Sequence, residues 1–271
     1  MRAPIGVFDS GAGGVSVLAE LRAALPHEDL LYLGDTANAP YGFRPDDEVR
    51  ALTLRGVRWL RARGAKLVVM ACNTACAAAL TEVRAEFGSA VPVVGLVPAL
   101  KPAVALTRTG HVGVLATPVT LRGRLMADVT ASFAVPAGVR VHGAAHAALV
   151  PLVEAGVLSG PEVEAALREA LGPLVEAGVD VLVLGCTHYP FLRGAIEAVF
   201  PGVFTVLDSG RAVARHTTDV LRSRSQLAPD GAGGMTLVSS GAVGSLLTVA
   251  GLVGLPDARV DVVDVSDVQK V

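Results

Sequence analysis

The 271-residue chain has a net charge of −2 and a pI of about 6.3, which excludes the basic surface that nucleic-acid binding requires. Its three cysteines are too few, and odd in number, for a secreted disulfide framework. Hydrophobic residues make up 52% of the chain and aromatic residues only 4%, a composition that suits the closely packed strands and helices of an α/β protein.

The first 97 residues alternate between apolar runs of strand length and amphipathic helices. Strands are predicted at 5–8, 29–34, 66–71 and 91–97. Helices are predicted from a glycine-rich turn to Leu25, from Asp46 as the N-cap to Arg63, and from Cys72 to Gly88. The segment 36–45 has no apolar periodicity and is predicted as a long loop.

Past Pro98 the same alternation starts again. Strands are predicted at 111–116, 139–143, 181–185 and 203–207, and helices at 120–132, up to Glu154, at 161–177, at 191–201 and up to Arg222. This pattern indicates two doubly wound parallel-sheet domains related by a pseudo-two-fold axis, with the active site in the cleft between them. We place one domain at 1–97 plus 207–271 and the other at 98–206.

The sequence also predicts neither export nor insertion into a membrane. Asp9 interrupts the first apolar stretch before a signal-peptide core forms. The uncharged segment 231–256 is long enough to span a bilayer, but Gly and Ser interrupt it and no Lys or Arg flanks it directly. We therefore expect this segment to form a strand, a turn and a helix of a cytoplasmic protein.

Two of the predicted strands end in the same chemical pattern. Cys72 is followed by Asn73 and Thr74, and Cys186 by Thr187 and His188. A single cysteine in such a place is usually a small buried hydrophobic residue. Two in matching positions, at the strand ends where open α/β sheets bind ligands, favour a site with a sulfur on either side. A helix N-terminus after each sulfur is expected to lower the thiol pKa from about 8.5 towards neutrality. Cys76, among alanines, is predicted to pack in the core.

The turn from Asp9 to Gly14 joins a strand to a helix and is rich in glycine. Such a turn can bind an anion or a dinucleotide. Ser16 replaces the third glycine of the dinucleotide pattern, and no Gly-Lys-Ser/Thr follows, so a P-loop is excluded. A simple tight turn remains open, but the carboxylate of Asp9 at the strand end favours a functional role, as does Asp35 after the second strand.

Other candidate residues lie on predicted loops and helix ends. Tyr41 and Gly42 are in the long loop, and Glu154 ends an apolar helix. Thr117 and Thr120 follow a strand, where helix capping competes with ligand binding. His142 and His146 are four residues apart, but no Cys-x-x-Cys or second His pair accompanies them as a zinc site would require. A nucleophile–base pair of Cys186 with the nearby histidine stays an alternative.

With these motifs assembled, the chain resembles the glutamate racemases of the aspartate/glutamate racemase family. The matching stretches begin at Gly6, Tyr32, Ala71, Leu149 and Leu184, occur in the family's order, and extend to about Gly210. The Cys-Asn-Thr and Gly-Cys-Thr-His-Tyr-Pro blocks are the most specific. His146-Ala147 stands where a Cys-Pro pair is common, and Gly123 and Met126 replace a frequent Ser and Tyr.

The resemblance implies an enzyme that needs neither pyridoxal phosphate nor metal, that acts on glutamate, that supplies D-glutamate for peptidoglycan, and that forms homodimers. Cys72 is implied as the acid/base on the D-glutamate side and Cys186 on the L-glutamate side. The resemblance implies catalytic support from Asp9, His188, Asp35 and Glu154, and substrate binding by Asp9, Ser10, Tyr41, Gly42, Asn73, Thr74, Thr117, Thr120, Thr187 and His188.

Two thiols suit racemisation, because one base cannot easily reach both faces of a bound amino acid. Flanking one carbon would place the sulfurs ~7 Å apart, too far for a disulfide. One must start as thiolate and the other as thiol. Three alternatives remain open: an aspartate, other amino-acid or hydantoin racemase, an amino-acid-binding protein without turnover, and a nucleotide-linked dehydrogenase.

Overall fold

The computed structural model describes residues 3–88, 90–255 and 259–265, and in these residues ten strands form two sheets. The strands are β1 (Ile5–Asp9), β2 (Leu30–Gly34), β3 (Leu67–Met70), β4 (Val93–Gly95), β5 (His111–Ala116), β6 (Arg140–Ala144), β7 (Val181–Gly185), β8 (Thr205–Leu207), β9 (Met235–Ser239) and β10 (Val260–Val262). The first sheet has the order β10-β9-β2-β1-β3-β4 and the second β6-β5-β7-β8.

Helices connect the strands and cover the sheets. They are α1 (Val15–Ala24), α2 (Asp46–Ala62), α3 (Asn73–Phe87), α4 (Leu100–Leu106), α5 (Pro118–Arg122), α6 (Arg124–Val129), α7 (Leu149–Glu154), α8 (Pro161–Glu176), α9 (Arg193–Val199), α10 (Gly210–Ser223) and α11 (Gly244–Leu252). Short 3₁₀ segments lie at Thr36–Asn38 and Tyr189–Leu192, and a π-helical segment at Thr130–Ala134.

Both sheets repeat one strand order. The second strand of each half lies beside the first, and the third and fourth follow on the other side, as β2-β1-β3-β4 and β6-β5-β7-β8. Every paired strand is parallel to its neighbour. The predicted fold class is therefore confirmed, and Cys72 and Cys186 each follow the third strand of their sheet.

The cysteine-bearing strands run through the hydrophobic core. All residues of β3 and β7 are buried, because helices cover both faces of a parallel sheet. Their ends are therefore fixed by packing, which gives the two thiols rigid supports. The last two strands extend the first sheet, since β9 pairs with β2 and β10 with β9.

Several predicted elements differ from those observed. The single helix expected at 120–132 is divided into α5, α6 and the π-helical segment, because Gly123 adopts an extended conformation with ψ 150°. Pro45, not Asp46, is the N-cap of α2, and Asp46 is its first residue. Helix α4 was not predicted, since it has seven residues and contains Pro102. Among the described residues, no helix combines the length and apolarity that crossing a membrane requires.

Candidate active site

A cavity of about 680 Å³ empty volume lies between the carboxyl ends of the two sheets. Both halves of the chain contribute to its wall. Predicted site residues in the lining are Ser10, Tyr41, Gly42, Cys72, Asn73, Thr74, Thr117, Glu154, Cys186, Thr187 and His188. Three predicted residues, Asp9, Asp35 and Thr120, are buried outside this lining.

Cys72 lies at the N-cap of α3, and its surroundings favour the neutral thiol. Its Sγ accepts a hydrogen bond from Ala75 N at 3.3 Å and is 3.4 Å from Ser10 Oγ. Burial, reinforced by the charge of Asp9, raises the pKa of the Cys72 thiol to about 12 despite these two hydrogen bonds. The predicted fall in this pKa towards neutrality is therefore wrong, because loss of hydration outweighs the helix N-terminus.

Cys186 follows β7 and has a different partner. Its Sγ is 3.7 Å from Nδ1 of His188, whose Nε2 is 3.0 Å from Oε1 of Glu154. Burial alone would lower the pKa of His188, but the hydrogen bonds to Cys186 and Glu154 raise it to about 10. These contacts favour the cationic imidazole, and a positive charge in this place would stabilise negative charge on the adjacent sulfur.

Asp9 is fully buried behind the lining and joins the two halves of the site. Its carboxylate accepts hydrogen bonds from Gly11 N at 2.8 Å, from Ser10 Oγ at 3.1 Å and from Thr187 Oγ1 at 3.1 Å. Burial raises the pKa of Asp9, although the His188 charge and these hydrogen bonds act in the opposite direction. Asp9 is therefore hydrogen-bonded to Ser10, which contacts Cys72, and to Thr187, which directly follows Cys186.

The glycine-rich turn lets the second half of the chain approach the first. A Cβ on Gly13 would lie 2.6 Å from Thr187 Oγ1 and 2.6 Å from Cε1 of His188. Ser16 Oγ contacts Thr187 O at 2.9 Å from the start of α1. Ser16, which departs from the dinucleotide pattern, therefore holds the loop after Cys186. Gly13 is needed because a side chain there would collide with the same loop.

A family model described as Asp/Glu/Hydantoin racemase matches residues 5–217. A glutamate racemase of Deinococcus radiodurans is 61% identical over 218 residues, which cover 80% of this chain and 74% of that protein. A Thermus thermophilus glutamate racemase solved with β-chloro-D-alanine is 36% identical, with a TM-score of 0.80 over 98% of both chains. An Escherichia coli glutamate racemase solved with L-glutamate and the activator UDP-MurNAc-Ala is 33% identical, with a TM-score of 0.81 over 97% of this chain and 98% of that one.

The chain belongs to the Asp/Glu/hydantoin racemase family. Like its relatives it is an amino-acid racemase, which is an isomerase. The resemblance read from the two cysteine blocks is therefore confirmed at the level of the family.

Asp35 supports the racemase cavity from behind. Its carboxylate accepts hydrogen bonds from Tyr41 OH at 2.5 Å and Ser240 Oγ at 2.6 Å, and Arg55 Nη2 is 3.8 Å away. Tyr41 itself lines the cavity, and burial, followed by the Asp35 charge, raises the pKa of its phenol. Asp35 therefore orients a cavity-lining side chain and ties the long loop to the segment after β9.

Replacing Asp35 by Ala is expected to raise KM more than it lowers kcat. The change leaves Tyr41 OH without its acceptor and frees the loop, a loss of about 1–3 kcal/mol for a buried hydrogen bond. Steady-state kinetics with both enantiomers of the substrate would measure it. Asp35→Asn, which keeps an acceptor oxygen, serves as the matched variant and should retain most of the binding. A large fall in kcat at unchanged KM would contradict this role.

A chain of threonine hydroxyls crosses between the two halves. Thr74 Oγ1 and Thr117 Oγ1 are 2.9 Å apart, and Thr117 Oγ1 is 3.0 Å from Thr120 Oγ1. Thr117 also caps α5 by accepting from Thr120 N at 3.3 Å. A Cβ on Gly42 would lie 2.8 Å from Thr117 Cγ2, so the loop needs glycine there. Thr117 therefore caps α5 and also lies in the lining, whereas Thr120 lies behind it.

Sequence reasoning missed part of the wall. The unpredicted lining residues include Pro40, Phe43, Pro118, Val150, Pro151 and Tyr189. Most of them are apolar and belong to no motif. The prolines gave a signal in the sequence, because Pro40 directly precedes Tyr41 and Pro118 directly follows Thr117. Among the described residues, no three His, Cys, Asp or Glu side chains are grouped to hold a metal. His142 pairs instead with His111, with 2.9 Å between Nε2 and Nδ1.

Proposed function

We propose that the protein interconverts L- and D-glutamate by proton transfer at Cα between Cys72 and Cys186. The observation that carries this proposal is that thiols from two different sheets line one enclosed cavity. The relatives that match most of the chain are named glutamate racemases, which points to glutamate as the substrate. The reaction would supply D-glutamate for peptidoglycan in the cytoplasm, with neither pyridoxal phosphate nor metal.

The surroundings of the two sulfurs support different starting states. Cys72 has a pKa of about 12 and would start as the thiol. Cys186 lies beside the imidazole of His188, which would stabilise this sulfur when it is negatively charged, so Cys186 is proposed as the starting base. Cys186 would take the Cα proton of L-glutamate, the C–H electron pair would move into the α-carboxylate, and Cys72 would donate its proton to the opposite face. The product is D-glutamate, and the two cysteines have exchanged protonation states.

Neutral donors and the imidazolium of His188 would hold the substrate. No Lys or Arg is found among the described residues that line the cavity, so hydroxyl, amide and backbone groups would bind the two carboxylates. The side chain of Thr187, the amide of Asn73 and the N-terminus of α3 are placed to stabilise charge that develops on the α-carboxylate. Oδ1 of Asn73 is buried without a hydrogen-bond partner in the described residues, which suits acceptance from the substrate ammonium group.

The proposal extends to the organisation of the whole chain. We take 1–97 plus 207–271 as one domain and 98–206 as the other, since the sheets divide near these positions. A homodimer is proposed from the family resemblance, and sedimentation would measure it.

Deuterium exchange tests the proposed reaction. Metal-free protein incubated with L-glutamate in D₂O should form D-glutamate with deuterium at Cα, because the proton delivered by the second thiol comes from solvent. L-aspartate in a parallel incubation separates glutamate from aspartate racemisation. Binding of L-glutamate without D-isomer and without exchange would leave an amino-acid-binding protein as the alternative.

His188 is expected to stay charged through the neutral pH range. Folding raises its pKa from 6.5 to about 10, so the stability that this charge contributes is complete below pH 6.5 and is lost as pH rises towards 10. The difference in melting temperature between the wild-type protein and His188→Asn should therefore shrink over that interval. His216→Asn, at an exposed position on α10, is the matched control. A difference that stays constant with pH would contradict the charged state.

A further inference from the structure

The segment between β6 and α7 forms one side of the cavity mouth and has few attachments of its own. Ala145, His146 and Ala147 line the cavity, followed by Ala148 at the N-cap of α7. The three alanines are exposed. His146 is thus the one residue of this segment with a side chain longer than a methyl group.

Two contacts fix the imidazole of His146. Its Nδ1 accepts a hydrogen bond from Ala148 N at 3.3 Å, and its Nε2 is 3.3 Å from Oε2 of Glu169 on α8. The His146 side chain is 18% exposed and that of Glu169 79% exposed. The first contact satisfies a backbone donor at the start of α7, as a capping side chain does. The second ties the same ring to the neighbouring helix.

Helix α7 leads from this tether to the reacting groups. It begins at Leu149, directly after the tethered N–H, and ends at Glu154. Glu154 Oε1 contacts Nε2 of His188, and Nδ1 of His188 contacts the sulfur of Cys186. The helix has six residues, of which Leu149 and Val153 are buried in the core, and polar contacts are made next to its start and at its end.

We propose that His146 is a positioning residue: by tying Ala148 N and Glu169 together it fixes α7, and through Glu154 it sets the orientation of His188 beside Cys186. This inference rests on the proposed function of the same site. Glu154 is the last residue of α7, so a change in the helix start is transmitted to the Glu154–His188 hydrogen bond. Loss of the tether should weaken that hydrogen bond and remove part of what holds His188 charged.

Three variants separate the two contacts. His146→Ala removes both. His146→Asn keeps only the hydrogen bond from Ala148 N, because an Asn side chain accepts from the backbone N–H two residues later. Glu169→Ala removes only the contact between Glu169 and Nε2 of His146. His216→Ala, on the exposed side of α10, is the matched histidine control. For His146→Ala we expect kcat to fall about two- to tenfold, because both contacts are lost but only part of their free energy reaches the reacting groups, with partial recovery in His146→Asn.

The decisive readout is the titration of His188, followed by NMR of its ring protons in each variant, together with the alkaline limb of the kcat profile. Both should move to lower pH in His146→Ala and stay in place in His216→Ala. In a Glu154→Gln background, adding His146→Ala should cause little further loss, since the two residues act through one path.

Other outcomes would overturn the proposal. An unmoved His188 titration in His146→Ala, with or without lower activity, would show that the residue has no positioning effect. Fully additive losses with Glu154→Gln would show the same. The titration is read without substrate, so it is independent of turnover. If the titration shifts while the wild-type protein fails to racemise glutamate, the proposed reaction is wrong and the positioning role stands.

Discussion

Replacing either Cys72 or Cys186 by Ser is expected to lower kcat for racemisation by at least about 10³-fold, near the upper range for loss of a general acid or base. A serine hydroxyl is a much weaker acid than a thiol, so it neither holds the negative charge nor delivers its proton at neutral pH. The fold should change little, because the exchange of sulfur for oxygen is small. Chiral chromatography of the product in a time course would measure the loss.

The third cysteine offers a matched control. Cys76 is buried outside the cavity, where its Sγ donates to Met70 O and accepts from Leu96 N. Cys76→Ser makes the same chemical change without touching the cavity, so turnover should remain close to wild type. Each active-site variant should also keep partial chemistry: Cys72→Ser should exchange the α-proton of L-glutamate with D₂O, and Cys186→Ser that of D-glutamate. Near-normal racemisation in either variant would refute the two-thiol assignment.

Gly13→Ala is the second change with a large expected effect. The new Cβ would lie 2.6 Å from atoms of Thr187 and His188, both of which are buried and cannot move aside freely. The loop after Cys186 must shift, and a displacement of about 1 Å at a reacting group costs about 10²-fold in rate. We therefore expect kcat/KM to fall by about that factor, with a loss of melting temperature as well.

Gly194→Ala is the control for this substitution. Gly194 lies in α9, and apart from its chain neighbours and the backbone of its own helix no atom lies within 4 Å of the position of its new Cβ, so alanine should stabilise the helix by about 0.5–1 kcal/mol. Activity should remain unchanged. If Gly13→Ala keeps both wild-type activity and wild-type stability, the close approach of the glycine-rich turn and the His188 loop is not a requirement.

The fold and the two thiols were predictable because strong local patterns encode them. Uninterrupted apolar runs such as the one before Cys186 have the length and composition of buried parallel strands. The division of the predicted helix at Gly123 was not predictable in the same way, because one glycine inside a helical pattern is usually tolerated.

The electrostatics of the site depend on three-dimensional contacts and could not be read from the chain. The expected fall in the Cys72 pKa was wrong because the sequence shows the helix start but not the burial beside Asp9. Catalytic support by Asp35 stays a prediction, and its hydrogen bond to Tyr41 behind the lining depends on how the long loop folds. Apolar wall residues such as Val150 become visible only when the two halves face each other.

The shared strand order also bears on how the enzyme treats mirror-image substrates. Phe8 pairs with Met70, two residues before Cys72, and Leu115 pairs with Leu184, two residues before Cys186. Asp9 and Ala116 therefore hold corresponding places, with a carboxylate on one side and a methyl group on the other. Enantiomers have equal free energies in water, so kcat/KM must be the same in both directions. The unequal surroundings of the two thiols can therefore make kcat and KM differ between the two enantiomers, but they cannot change the ratio of kcat to KM.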